Sequence, residues 1–157
     1  MKVKVLPPVP DSLSRLEEAR KGVPLVPNDE ESCCARLMRD ADVPAQDTAK
    51  EWLTFMRGLG LVAVGDRGYH RTRTDPDLAE AFLEGVYGAD TLLAIVEREG
   101  PVSEAAAFES FKQAIPEWEQ SRYDDPGAVW SERVTRLLGW AALFGLVEQT
   151  DEGYVRA

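Results

Sequence analysis

GLVAVGDRGYHRT, residues 60–72, returns 85 positions later as GLVEQTDEGYVRA, residues 145–157. Seven of the 13 paired positions are identical: Gly60/Gly145, Leu61/Leu146, Val62/Val147, Asp66/Asp151, Gly68/Gly153, Tyr69/Tyr154 and Arg71/Arg156. Each stretch reads as a β-hairpin that follows a helix. Gly60 and Gly145 stand where a helix ends, a place that often takes a left-handed backbone. Leu-Val begins a strand, and Gly68 and Gly153 permit a positive φ in the turn. Tyr69 and Tyr154 can lay a ring on the helix and keep the hydroxyl wet. These shared residues describe a folding device and assign no common function.

The repeat extends upstream. At the same offset Trp52, Phe55 and Leu59 match Leu137, Trp140 and Phe144. Ala49, Trp52, Leu53, Met56 and Leu59 recur at three and four residues, the period of an amphipathic helix running from Ala45–Asp47 to Gly60. Before it, residues 11–22 read as a first helix, 24–27 as a proline-bounded connector and 28–43 as a second helix. Asn28 is its expected N-cap, with Glu31 at the capping-box spacing, and Cys34, Leu37 and Met38 form its apolar face. Residues 74–88 predict a linking helix with Asp75 as N-cap and Pro76 in the first position. The second series then runs through helices at 89–100 and 104–116 and an enlarged turn at 117–127. A last helix leads into the second hairpin.

Helix, connector, helix, turn, helix, hairpin is an order that resembles the winged helix-turn-helix domain. The expected fold is mainly α with small β-hairpin wings, an α+β arrangement of two tandem winged helices. The expected domains are 1–73 and 89–157, joined by the linker helix 74–88.

The 157 residues are 44% hydrophobic, with four Trp, four Tyr and five Phe for cores. No apolar run approaches the roughly 20 residues of a membrane span. MKVKVLPPVP lacks the apolar segment and cleavage site of a signal peptide. The expected location is therefore the cytoplasm, with no membrane partner. Cys33 and Cys34 are adjacent on a helix, about 100° apart, and badly placed for a disulfide. With His70 as the sole histidine, they read as small buried side chains, and no metal or cofactor is implied. Phosphate-binding glycine loops, nucleophile elbows and metal-spaced ligand sets are absent from the sequence, so a non-enzyme is expected.

The formal net charge is −10, which argues against general polyanion binding. Acid-rich, Lys-poor chains resemble proteins of salt-in halophiles, especially haloarchaea, where an acidic surface maintains solubility. The charge is uneven: residues 1–27 sum to +2, residues 28–73 to −1 and residues 74–157 to −11.

The winged-helix resemblance implies a third helix facing the major groove and a wing on backbone or minor groove. In copy one that helix would present Gln46, Lys50, Thr54 and Arg57, with Asp47, and the wing Arg67, His70, Arg71 and Arg73. Two readings of this basic wing stay open: contact with double-stranded DNA, or a solvated edge protected against strand pairing. In copy two the corresponding helix face is Glu132, Thr135, Gly139 and Ala142, and the wing carries Glu148, Asp151 and Glu152. An acidic wing repels phosphate, so copy two suits dimerisation, a protein partner or packing against copy one, with Thr135, Gly139 and Ala142 as candidate interface. Trp118 is a further interface candidate, although a half-buried loop anchor is the favoured reading. The resemblance thus implies a DNA-binding, transcription-associated regulator. The alternative is a tandem winged-helix adaptor between proteins that does not bind DNA.

Overall fold

The computed structural model describes residues 2–157, which fall into two compact units, Met1–Tyr87 and Gly88–Ala157. Both are mainly helical, and each carries one antiparallel two-stranded hairpin. The α+β winged-helix expectation is met in both.

The first unit contains α1 (Ser14–Lys21), α2 (Glu30–Asp40), α3 (Gln46–Gly58), β1 (Val62–Gly65), β2 (Gly68–Arg71) and α4 (Leu78–Gly85). Helix α3 buries Ala49, Trp52, Leu53, Phe55 and Met56 and packs against α2, and Leu16 and Ala19 of α1 and Cys33, Cys34 and Leu37 of α2 are buried in the same unit. Local capping differs from the sequence reading. Asp29, one residue later than expected, caps α2 by accepting from the Ser32 amide at 2.7 Å, while Asn28 is drawn into β pairing. Asp77 rather than Asp75 caps α4, accepting from Glu80 N at 3.3 Å. In both cases the carboxylate three residues before a free amide takes it. Met38 is exposed, and Cys33 replaces it on the buried face.

Helix α4 docks on α3 by close backbone approach. An added Cβ at Gly85 would lie 1.8 Å from Gly58 O, and Phe55 meets Phe82 edge-on at 6.5 Å. The chain beyond α4 pairs with Val3, through Val3 N to Gly85 O at 2.9 Å and Tyr87 N to Val3 O at 2.8 Å.

The second unit contains α5 (Ala89–Glu99), α6 (Glu104–Ala114), α7 (Glu117–Gln120), α8 (Pro126–Leu143), β3 (Val147–Thr150) and β4 (Gly153–Arg156). The expected enlarged turn holds the one-turn helix α7. Its Gln120 side chain donates to Lys112 O and Ile115 O, both at 3.0 Å, and so satisfies carbonyls at the end of α6. Trp130 and Trp140 fill core, as expected. Trp118 is 66% exposed, so the half-buried anchor reading fails; the adjacent Glu119 is the buried residue of that turn.

The hairpin repeat has two physical causes. At the helix ends, Leu61 N bonds Met56 O at 2.9 Å and Gly60 N bonds Arg57 O at 3.1 Å, with Gly60 at φ +79°. Leu146 N to Ala141 O and Gly145 N to Ala142 O repeat both distances, with Gly145 at φ +78°. This paired bonding is the Schellman motif, and it needs glycine at the left-handed position. At the turns, Gly68 and Gly153 are pressed by a third segment. Asn28 pairs with Tyr69 and Val102 with Tyr154, so the connector after each first helix lies against its wing. A Cβ would stand 2.0 Å from Asn28 O at Gly68 and 2.6 Å from Val102 O at Gly153.

Candidate nucleic-acid interface

Gln46, Asp47, Lys50 and Arg57 are exposed on α3, and Thr54 is half-buried. Their spacing gives one stripe opposite Trp52. The cations do not stand alone, because Asp47 and the half-buried Glu51 share the helix surface. The first turn of α2 adds Asp29, Glu30 and Glu31, all exposed. Burial raises the Tyr69 hydroxyl above its ordinary pKa, and the Glu30 charge raises it further while Arg57 opposes both. Burial likewise raises the Cys34 thiol, with Glu30 adding to the rise and Lys50 opposing it. Glu30 therefore opposes Arg57 at Tyr69 and Lys50 at Cys34.

The wing residues separate by strand register. Val62 pairs with Arg71, Ala63 with His70 and Val64 with Tyr69. Cross-strand partners share a face and neighbours alternate, so Arg71 and Tyr69 lie on the side of buried Val62, and His70 lies on the other. Arg67 occupies the exposed tip. Arg71 is half-buried, its Nε enclosed and without a partner, and Arg73 is exposed beyond the strand. The candidate set is thus the α3 stripe, the tip cation, His70 on one wing face, and Arg71 with Arg73 on the α1 side.

Two cations missed in the sequence reading complete that last group. Arg20 and Lys21 end α1 and share a concavity with Arg71 and Arg73. Arg20 Nη2 donates to Thr72 O at 3.1 Å and to Thr74 O at 2.5 Å, which ties the exit of the wing to α1. The positive balance of residues 1–27 was the available signal, but nothing in the sequence places it beside the wing.

Copy two is built on the same register, with Val147 opposite Arg156. Its helix face is already engaged. Glu132 pairs with Arg136 at 2.7 Å, and the Thr135 hydroxyl sits between the Glu104 carboxylate and Ser131 O. Gly139 is half-buried and Ala142 exposed. Arg156, the counterpart of Arg71, donates Nε to Glu97 of α5 at 3.0 Å and Nη1 to Leu146 O at 2.6 Å. Glu148, Asp151 and Glu152 are exposed on the wing.

Cys33 and Cys34 are free and buried, and burial raises both thiols, which keeps them protonated and weakly nucleophilic. Among the described residues no group of three His, Cys, Asp or Glu could hold a metal ion. No described helix is long and apolar enough to cross a membrane.

The family described as the halobacterial double winged helix domain matches residues 1–157. Comparison with curated proteins and with solved structures finds no match for this chain.

Proposed function

The chain belongs to the halobacterial double winged helix family, and we propose that this member is a cytoplasmic, transcription-associated regulator whose first unit contacts duplex DNA. The observation that carries the reading is the contrast between equivalent arginines: Arg156 is neutralised by Glu97, whereas Arg71 and Arg73 have no ion pair among the described residues. Arg67, Arg71 and Arg73 would hold phosphates, with His70 beside them on the wing. Gln46, Lys50, Thr54 and Arg57 would meet base edges, since Arg, Lys and Gln offer the donors that the major groove reads. The acids at the start of α2 suppress loose binding, so affinity depends on fit at the helix stripe. Domain 2 would mediate dimerisation or recruit a protein. In a salt-rich cytoplasm counterion release contributes little, and base contacts and dimerisation carry more of the affinity.

Selection from a random duplex pool in molar KCl tests this reading. A single enriched motif is expected, and Lys50→Ala or Arg57→Ala should relax it at one or two base positions. A pool that stays random with folded protein, or a motif indifferent to both substitutions, would refute the reading.

The adaptor reading is favoured by one different observation, the exposed Trp118 in a second unit of six basic and 13 acidic residues. An exposed Trp on a unit with a surplus of acids suits a basic protein partner. If the adaptor reading holds, Arg67→Glu with Arg71→Glu leaves the DNA-linked phenotype unchanged, and Trp118→Ala removes partner capture.

A further inference from the structure

Between the last turn of α1 and the exit of β2 lies an open concavity of about 370 Å³. Four cationic side chains line it, Arg20, Lys21, Arg71 and Arg73, against two carboxylates, Glu17 and Asp75. The local balance is therefore two positive charges. Arg20 is held by carbonyls of Thr72 and Thr74, so one guanidinium is fixed before any ligand arrives. The Nε donors of Arg20 and Arg71 are both enclosed and without a hydrogen-bond partner. Among the described residues, Lys21, Arg71 and Arg73 make no side-chain ion pair or hydrogen bond.

An enclosed donor without a partner loses its hydration and gains nothing in return, which ordinarily costs stability. Copy two shows how the chain avoids that cost elsewhere. There the equivalent arginine, Arg156, is met by Glu97 from the first helix of its own unit. In copy one the first helix brings two cations and one carboxylate, Glu17, to this place, and among the described residues no ion pair joins that carboxylate to Arg71.

We propose that this concavity is a binding site for an organic phosphate group. Guanidinium and ammonium donors converging from α1 and β2 match the several oxygens of a phosphate, for which arginine is the best-suited partner. A surplus of two positive charges suits a phosphate dianion. The volume exceeds that of a bare phosphate, and the half-exposed Leu25 on its wall offers an apolar surface to an attached organic part. A nucleic-acid backbone and a small phosphorylated molecule share this chemistry. The inference shares Arg71 and Arg73 with the DNA reading and rests on that reading for nothing else.

The test is an NMR titration of the whole folded chain in molar KCl, following the Nε–H signals of Arg20 and Arg71. Inorganic phosphate and then a nucleoside monophosphate are the probes. Saturable shifts of both signals are expected, with tighter binding of the monophosphate. Lys21→Glu alters an exposed residue and turns one of the four cations into a carboxylate, so it should weaken binding about tenfold or more. Leu25→Glu provides a second exposed variant with the same expected direction. No saturable shift in folded protein, or equal binding by wild type and both variants, would overturn the site. A duplex added in a second arm identifies the source. If it shifts the same signals and is displaced by the monophosphate, the site holds a backbone phosphate. If only the monophosphate shifts them, the site serves a small phosphorylated ligand, and this result stands even where the DNA reading has failed.

Discussion

Replacing Gly68 by alanine tests whether the connector after α1 is locked to the wing. The new Cβ would sit 2.0 Å from Asn28 O and 2.5 Å from its carbonyl carbon, distances no side chain tolerates. Relief requires the connector to leave, which breaks Asn28 N to Tyr69 O at 2.9 Å and Tyr69 N to Asn28 O at 2.7 Å. Two such bonds are worth about 1 kcal/mol each net. The φ of +107° adds backbone strain of about 1–2 kcal/mol for a residue with a Cβ. The expected loss is about 3–4 kcal/mol, a large share of the roughly 5–15 kcal/mol that holds a domain together. Gly60 supplies the control. Its φ of +79° is equally left-handed, but an added Cβ meets nothing within 4 Å. Gly60→Ala should therefore cost strain alone, about 1–2 kcal/mol. Urea unfolding at constant molar KCl, followed by Trp fluorescence and circular dichroism, measures both. Trp52 reports the first unit, since the other three Trp lie in the second. A Gly68→Ala variant no less stable than Gly60→Ala would refute the connector–wing contact and with it the placement of the wing.

Other outcomes follow from the same geometry. Glu30→Gln with Glu31→Gln should raise duplex affinity several-fold at fixed salt, read by anisotropy, at a helix-dipole cost of about 0.3–1 kcal/mol each. Bonding to the Ser32 amide holds the Asp29 carboxyl below its ordinary pKa. Its capping therefore stabilises above the unfolded value and is lost as pH falls through the lower folded value. Asp29→Ala should accordingly lower the melting temperature at neutral pH, and the gap from wild type should close in acid. Trp118→Ala should change stability by no more than about 0.5 kcal/mol, the range of surface substitutions. A larger loss in urea unfolding would mean the ring is packed.

The hairpins were legible because their demands are local. A Schellman end at Gly60 and a positive φ at Gly68 each require glycine wherever they occur, so one device written twice shows as identity. The α3 stripe was legible through its period. What escaped the sequence depends on contacts made at long range. Asn28 looks like a cap, but pairing with Tyr69, 41 positions away, claims its backbone and passes capping to Asp29. Arg71 reads as one more wing cation until strand register turns it toward α1, beside Arg20 and Lys21. Which residue of the 117–127 turn faces inward is not written in the local sequence: the short α7 buries Glu119 and leaves Trp118 exposed.

Fluorescence anisotropy of the folded chain with duplex DNA, from low to molar KCl, tests the central proposal most directly. Circular dichroism at each salt confirms that the fold is intact. Binding should weaken with salt and be abolished by Arg67→Glu with Arg71→Glu, while Arg156→Glu leaves it unchanged. Each arginine–phosphate contact removed should flatten the plot of log affinity against log salt by about 0.9. Absence of binding with the fold intact, or binding that survives the double reversal in copy one, would contradict it.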